Sequence, residues 1–114
     1  MATLAVAFPV LPGKADEGRR FAQEVMGPRR AEAEASFRRL GITRECWYLQ
    51  STPMGDLIIV WMEGEDPAGA LRKWAESDDP FDRWFKQTAG AISGLDFNQP
   101  IPLMPEQVFE YPAR

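Results

Sequence analysis

The chain has 114 residues, of which 45% are hydrophobic and 26% are charged, and this balance predicts one globular domain with a single core. The net charge of −4 argues against a nucleic-acid surface, which needs an excess of Lys and Arg to neutralise phosphates. Because the chain has no histidine, it has no imidazole base, no Ser-His or Cys-His nucleophile pair and no histidine ligand for haem.

The single cysteine, Cys46, rules out an intrachain disulfide and fits a reducing cytoplasm. A zinc site would have to be built almost wholly from carboxylates, so no metal and no cofactor is predicted. The N-terminal residues lack the basic start of a signal peptide, and no apolar run approaches the length of a membrane span. These features predict a cytoplasmic protein.

The first half of the chain predicts a strand followed by a helical region. Residues 3–11 alternate as a β-strand does, and residues 14–40 carry apolar side chains at helical spacing. Pro28 follows Gly27 inside that helical run, so we expect a kink or two abutting helices there. Gly41 is a typical residue at the end of a helix.

Two strands joined by a short turn follow. Residues 42–51 and the run "DLIIVWMEGE" flank the turn "TPMGD", which favours an antiparallel hairpin. The second of these strands is apolar on both faces, since Leu57, Ile59 and Trp61 alternate with other apolar residues. Both faces of the sheet therefore need to be covered.

The second half of the chain predicts a helical region in two pieces. "DPAGALRKWAES" and "SDDPFDRWFKQ" each begin with Asp and Pro, a typical N-cap and first helical residue. Capping explains the aspartates of the second segment better than a cation site does. A fourth strand is expected at residues 95–98 or 107–111. We assign residues 1–98 to one domain and residues 99–114 to a Pro-rich arm.

The element order β-α-β-β-α-β predicts an α+β protein with the ferredoxin-like split βαβ plan and an antiparallel sheet. In this plan the helices cover one face of the sheet. The other face would be an exposed apolar surface, and a second copy packing sheet to sheet about a two-fold axis would cover it. The sequence thus predicts a homodimer, the arrangement of a dimeric α+β barrel.

Three segments carry a resemblance to a known superfamily. "VLPGKADEGRRFAQEV" is similar to the opening of antibiotic-biosynthesis-monooxygenase-like dimeric α+β barrels. "GITRECWYLQSTPMGDLIIVWMEGEDP" together with "SDDPFDRWF" resembles an uncharacterised bacterial family of that fold. The resemblance spans roughly residues 3–98, and it implies the fold and the dimer but no established activity.

Aromatic residues make a ligand pocket between sheet and helices the leading functional hypothesis. The residues proposed to line it are Trp47, Tyr48, Trp61, Arg83 and Trp84, with Arg83 and Tyr48 as its polar groups. The predicted ligand is a small apolar or aromatic molecule. Two alternatives stay open: a cofactor-independent monooxygenase or isomerase, and a structural or interaction module whose C-terminal arm grips its partner.

Overall fold

A computed structural model of the chain describes residues 1–101 and 104–113, so Pro102, Leu103 and Arg114 of the predicted arm lie outside the described residues. The described part is an α+β domain with a three-stranded sheet and four helices. Its elements, in chain order, are β1 (Ala2–Val10), α1 (Ala15–Met26), α2 (Arg30–Leu40), β2 (Ile42–Thr52), β3 (Gly55–Gly64), α3 (Pro67–Glu76) and α4 (Pro80–Ser93).

The sheet is antiparallel, with the strand order β1-β3-β2. The β2–β3 hairpin is confirmed, and Thr52 pairs with Gly55 so that only two residues form the turn. The most apolar strand, β3, takes the central position because a central strand has both backbone edges paired and offers both faces for packing. Val60 pairs with Val6 of β1 and with Trp47 of β2, so these three side chains lie on the same face of the sheet.

The predicted helix boundaries are confirmed by their caps. The helical run breaks at Gly27–Arg29, and Gly41 ends α2 in the left-handed conformation at φ 78°. The side chain of Asp66 accepts a hydrogen bond from the amide of Gly69 at the start of α3. Asp79 caps α4 in the same way.

The expected fourth strand is absent: neither 95–98 nor 107–111 is a strand in the part of the chain that the structure describes. After α4 the backbone turns instead, because Asp96 accepts hydrogen bonds from the amides of Asn98 and Gln99, which leaves these groups unavailable for a strand ladder. Phe97 is buried, with its ring 5.4 Å from those of Phe8 and Trp74. This segment thus covers the core with the Phe97 side chain and does not pair with a strand.

The core lies on the helical side of the sheet. Val6, Phe8 and Val10 of β1 point into it, and they pack against residues of α1, α3 and α4. The opposite face is apolar as predicted, and on it Ala5, Ala7 and Tyr48 are exposed. The other members of that face at or near the sheet centre are Pro9, Cys46, Leu57, Ile59 and Trp61.

A buried polar cluster joins α2 to the segment that leads into α4. Asp82 is fully buried, and it accepts hydrogen bonds from the hydroxyl of Ser36, from the hydroxyl of Ser77 at 2.6 Å and from the Arg39 guanidinium at 2.8 Å. Lys86, one turn further along α4, donates to the carbonyl oxygens of residues 75 and 77 at 2.8 and 2.9 Å. These bonds satisfy two buried charges and hold the C-terminal end of α3 against α4.

Replacing Asp82 with Ala is expected to lower the free energy of unfolding by about 3 kcal/mol, because Ser36 and Ser77 lose their acceptor and Arg39 loses its buried partner. Urea denaturation followed by tryptophan fluorescence measures the change. The matched control is Asp78→Ala at the exposed neighbouring aspartate, which should stay within about 0.5 kcal/mol of the parent protein. Equal stability of the two variants would contradict the role assigned to Asp82.

Candidate functional site

A cavity of about 100 Å³ lies between the sheet and the helices. All three strands and all four helices contribute to its wall, together with Phe97. The lining residues include the aromatic side chains of Phe8, Phe21, Phe37, Trp47, Trp74, Phe85 and Phe97, the aliphatic side chains of Leu40, Ile42, Ile58, Val60, Met62, Leu71 and Ile92, and three residues with polar side chains, Ser36, Glu45 and Ser93.

Aromatic rings in contact with one another form one side of the cavity. The ring of Phe21 on α1 lies 5.4 Å from that of Trp47 on β2 and 4.9 Å from that of Phe85 on α4. Phe85 also meets Trp74 of α3 edge to face at 5.4 Å. Edge-to-face pairs at this separation are favourable and leave few alternative side-chain positions, so this wall is stiff.

Glu45 brings a carboxyl group to this otherwise apolar space. It lies two residues before Trp47 on β2, so both side chains point to the helical face of the sheet. The indole Nε1–H of Trp47 donates to Oε2 of Glu45 at 2.7 Å. Burial raises the pKa of Glu45 from its usual 4.5 to about 7, and the bond from Trp47 opposes that rise.

The two serines of the wall have their hydroxyl protons committed elsewhere. Ser36 donates to Asp82, and Ser93 donates to the carbonyl oxygen of Ala89 at 3.0 Å. Within the described wall, Glu45 is thus the sole titratable side chain, and no serine hydroxyl proton is left for a ligand. The cavity can hold an apolar body while Glu45 accepts or gives a proton or a hydrogen bond.

The structure distributes the five predicted site residues over four places. Trp47 lines the cavity. Trp84 packs against the core at its surface, where its ring meets Phe21 and the Arg29 guanidinium sits 4.1 Å above it. Arg83 is exposed on α4.

Tyr48 and Trp61 lie on the opposite face of the sheet. Tyr48 is 59% exposed, and it shares that face with Trp61 because Cys46, two residues before it, pairs with Trp61. The guanidinium of Arg44 lies 5.5 Å from the Trp61 ring. The prediction was that Tyr48 and Arg83 converge on the cavity. In the structure they do not, because the pleat turns Tyr48 away from the helices.

The residue that the sequence analysis missed is Glu45. Alternation places it on the same face as Trp47, and a carboxylate on the inward face of a strand is a recognisable signal once that face is known. The sequence alone did not show which of Trp47 and Tyr48 points inward. That choice determines whether Glu45 or Cys46 faces the core.

Within residues 1–101 and 104–113, no cluster of three or more acidic or cysteine side chains is arranged to hold a metal ion. None of the helices in the same described ranges is long and apolar enough to span a bilayer. Comparison with models of known protein families finds no match, and comparison with curated proteins finds none either.

The raised pKa of Glu45 predicts a specific pH dependence of stability. Below pH 4.5 the group is neutral in both states; between pH 4.5 and about 7 the unfolded chain loses the proton while the folded chain keeps it. Stability therefore falls as the pH rises through this window, by up to about 3 kcal/mol, and then levels off. Urea titrations at a series of pH values measure the fall.

In Glu45→Gln this component of the pH dependence disappears, because the amide does not titrate and its oxygen still accepts from Trp47. Its stability relative to the parent protein should therefore rise between pH 4.5 and 7. Glu65→Gln, at an exposed position beyond β3, is the control and should follow the parent curve. If the free energies of unfolding of the Glu45→Gln variant and the parent protein changed with pH in parallel, the raised pKa assigned to Glu45 would be contradicted.

Proposed function

We propose that this protein is a homodimeric small-molecule-binding domain whose ligand occupies the cavity between sheet and helices. The observation that carries the proposal is the cavity itself: an almost wholly apolar space with a single carboxyl group in its wall. Ligand sites commonly combine a large apolar lining with a few polar groups that set orientation. Close packing elsewhere in the core makes an unfilled space of this size unusual.

The size of the cavity limits the ligand. An apolar cavity of about 150 Å³ takes benzene, and drug-sized molecules need several hundred Å³. The cavity of about 100 Å³ therefore suits a molecule of about six non-hydrogen atoms after a small outward movement of its wall. Glu45 lies on the edge strand β2 and is partly exposed.

The proposed dimer forms through the open face of the sheet. Ala5, Ile59 and Trp61 lie near the centre of that face, and a continuous apolar surface on a strand-paired sheet is best covered by another such surface. The order β1-β3-β2 with helices on one side is compatible with the first three strands of the ferredoxin-like plan, and the resemblance to dimeric α+β barrels supports the same mode of pairing. The exposed Val108 and Phe109 of the arm offer a second apolar contact for the partner copy.

Methylcyclopentane, a six-carbon apolar probe, is expected to bind in the cavity and shift the NMR signals of the Ile58 and Val60 methyl groups. Ala89→Leu places three more carbons in the wall and should abolish these shifts. The matched control is Ala91→Leu, the same change at an exposed position two residues along α4, which should leave binding intact. Unchanged methyl signals in the parent protein at saturating probe would contradict the ligand-binding proposal.

Placing a charge in the open sheet face should dissociate the dimer. Ile59→Glu sets a carboxylate at the centre of the proposed interface, where its desolvation disfavours association. Sedimentation velocity is expected to show a dimer for the parent protein and a monomer for the variant. Ala31→Glu, at an exposed position of α2, should remain dimeric. A monomeric parent protein would overturn the interface.

A further inference from the structure

Glu45 has no cationic partner among residues 1–101 and 104–113 of the structure. Its side chain accepts one hydrogen bond, from Trp47, and makes no ion pair. When ionised it places a negative charge against an apolar wall, and a buried charge is normally paired or neutralised. The cavity thus provides the anionic group of an ion pair but, among the described residues, no cationic partner for it.

None of the ion pairs on the surrounding helices includes Glu45. On α2, Arg39 pairs with Asp79 and Asp82, and on α4, Lys86 donates to the carbonyl oxygens of residues 75 and 77. The other ion pairs of these helices and their ends are those of Lys14 with Glu17, Arg19 with Asp16, Arg29 with Glu24 and Glu32, Arg30 with Glu34, and Arg72 with Asp66. The other cationic side chains of the four helices, Arg20, Arg38, Lys73 and Arg83, are exposed. On β2 itself, Arg44 lies over Trp61 on the other face, near Glu63 of β3.

A reaction that abstracts a proton next to a carbonyl group fits this wall poorly. Proton abstraction next to a carbonyl builds negative charge on its oxygen, which needs hydrogen-bond donors placed to receive it. The hydroxyl protons of Ser36 and Ser93 and the indole proton of Trp47 are already committed. An acidic ligand would meet the like charge of Glu45. A ligand that donates hydrogen bonds and carries positive charge matches what the cavity lacks.

The aromatic lining favours a cation as well. Rings of Trp47, Phe85 and Trp74 line the cavity, and the face of an aromatic ring attracts an ammonium group within about 6 Å. Their edges and the aliphatic residues opposite accommodate hydrocarbon. A carboxylate in the wall of an aromatic-lined cavity thus suits a ligand with a charged head and an apolar body.

We infer that the natural ligand of this cavity is a small aliphatic amine, with its ammonium group paired to the Glu45 carboxylate and its hydrocarbon part against the apolar wall. This inference rests on the proposed ligand-binding function and adds the ligand's chemical class. The ammonium group would supply the positive charge that Glu45 lacks within the described part of the chain. Glu45 would accept from both Trp47 and the ligand, since a carboxylate has several acceptor positions.

Amine binding must then depend on pH. An aliphatic amine stays protonated up to about pH 10, as the lysine side chain does, whereas Glu45 ionises at about pH 7. Below pH 7 binding has to release the Glu45 proton, so the affinity should rise about tenfold per pH unit there and level off above it. A hydrocarbon probe carries no charge, so its affinity should not follow Glu45 in this way.

The experiment compares cyclopentylamine with methylcyclopentane, which has the same shape and a methyl group in place of the amine. NMR titrations of the parent protein at pH 8 are expected to give an affinity at least about tenfold tighter for the amine. Glu45→Gln should lose that preference. The control Glu63→Gln, a glutamate on the opposite face of the sheet, should keep it.

Lowering the pH tests the same point without a mutation, which covers the case in which Glu45→Gln fails to fold. At about pH 5.5 the amine preference of the parent protein should be about thirtyfold smaller than at pH 8, because the affinity for the amine falls about tenfold per pH unit below pH 7. If the probes bind equally at pH 8, or the amine preference is the same at pH 5.5 as at pH 8, the inference about amines is overturned while the cavity still binds ligand. If neither probe binds, the ligand-binding function itself fails.

Discussion

The structure depends on one strand that is apolar on both faces. β3 lies in the middle of the sheet, and its residues alternate between a core covered by four helices and a face with no helix on it. Val60 points into the core, while its neighbours Ile59 and Trp61 point away from it. A strand of this kind stabilises the fold most when both of its faces leave water, because burying one face alone removes only part of its apolar area from water. The sequence of β3 thus favours a second layer packed on the face that the helices leave uncovered.

The helical layer is held by polar contacts as well as by apolar packing. Asp82 connects α2, the loop before α4 and α4 itself through Ser36, Ser77 and Arg39. Such a network does less for stability than apolar residues of the same volume could, but its geometry specifies one arrangement of the helices. That arrangement brings Phe21, Trp47 and Phe85 together and leaves the space beside them open.

Local signals in the sequence predicted most of the fold. Asp66-Pro67 and Asp79-Pro80 mark helix starts, Gly41 marks a helix end, and the period-two pattern marks the strands, because each of these features acts over a few residues. The fourth strand was predicted wrongly because Leu95 and Phe97 alternate with polar residues as in a strand, while the structure there is decided by the burial of Phe97. The site depended on such long-range contacts as well. Once the inward face of β2 is known, Glu45 replaces Tyr48 as the polar residue of β2 that faces the cavity. Asp82 was predicted only as a charge at a helix start, and the fold shows that it also accepts a hydrogen bond from Ser36.

Local preference and tertiary packing conflict at Glu45. A strand position facing an apolar core favours Val or Ile, and a carboxyl group there costs stability at neutral pH because ionisation opposes burial. The bond from Trp47 offsets only part of that cost, since the pKa still stands at about 7. Residues that weaken a fold in this way concentrate at functional sites, where a ligand supplies the missing interaction. A bound cation would supply it directly, because pairing the charge removes the penalty that the empty cavity imposes. On this reasoning the ligand contributes to the stability of the domain as well as to its function, and the domain should be most stable when its cavity is filled.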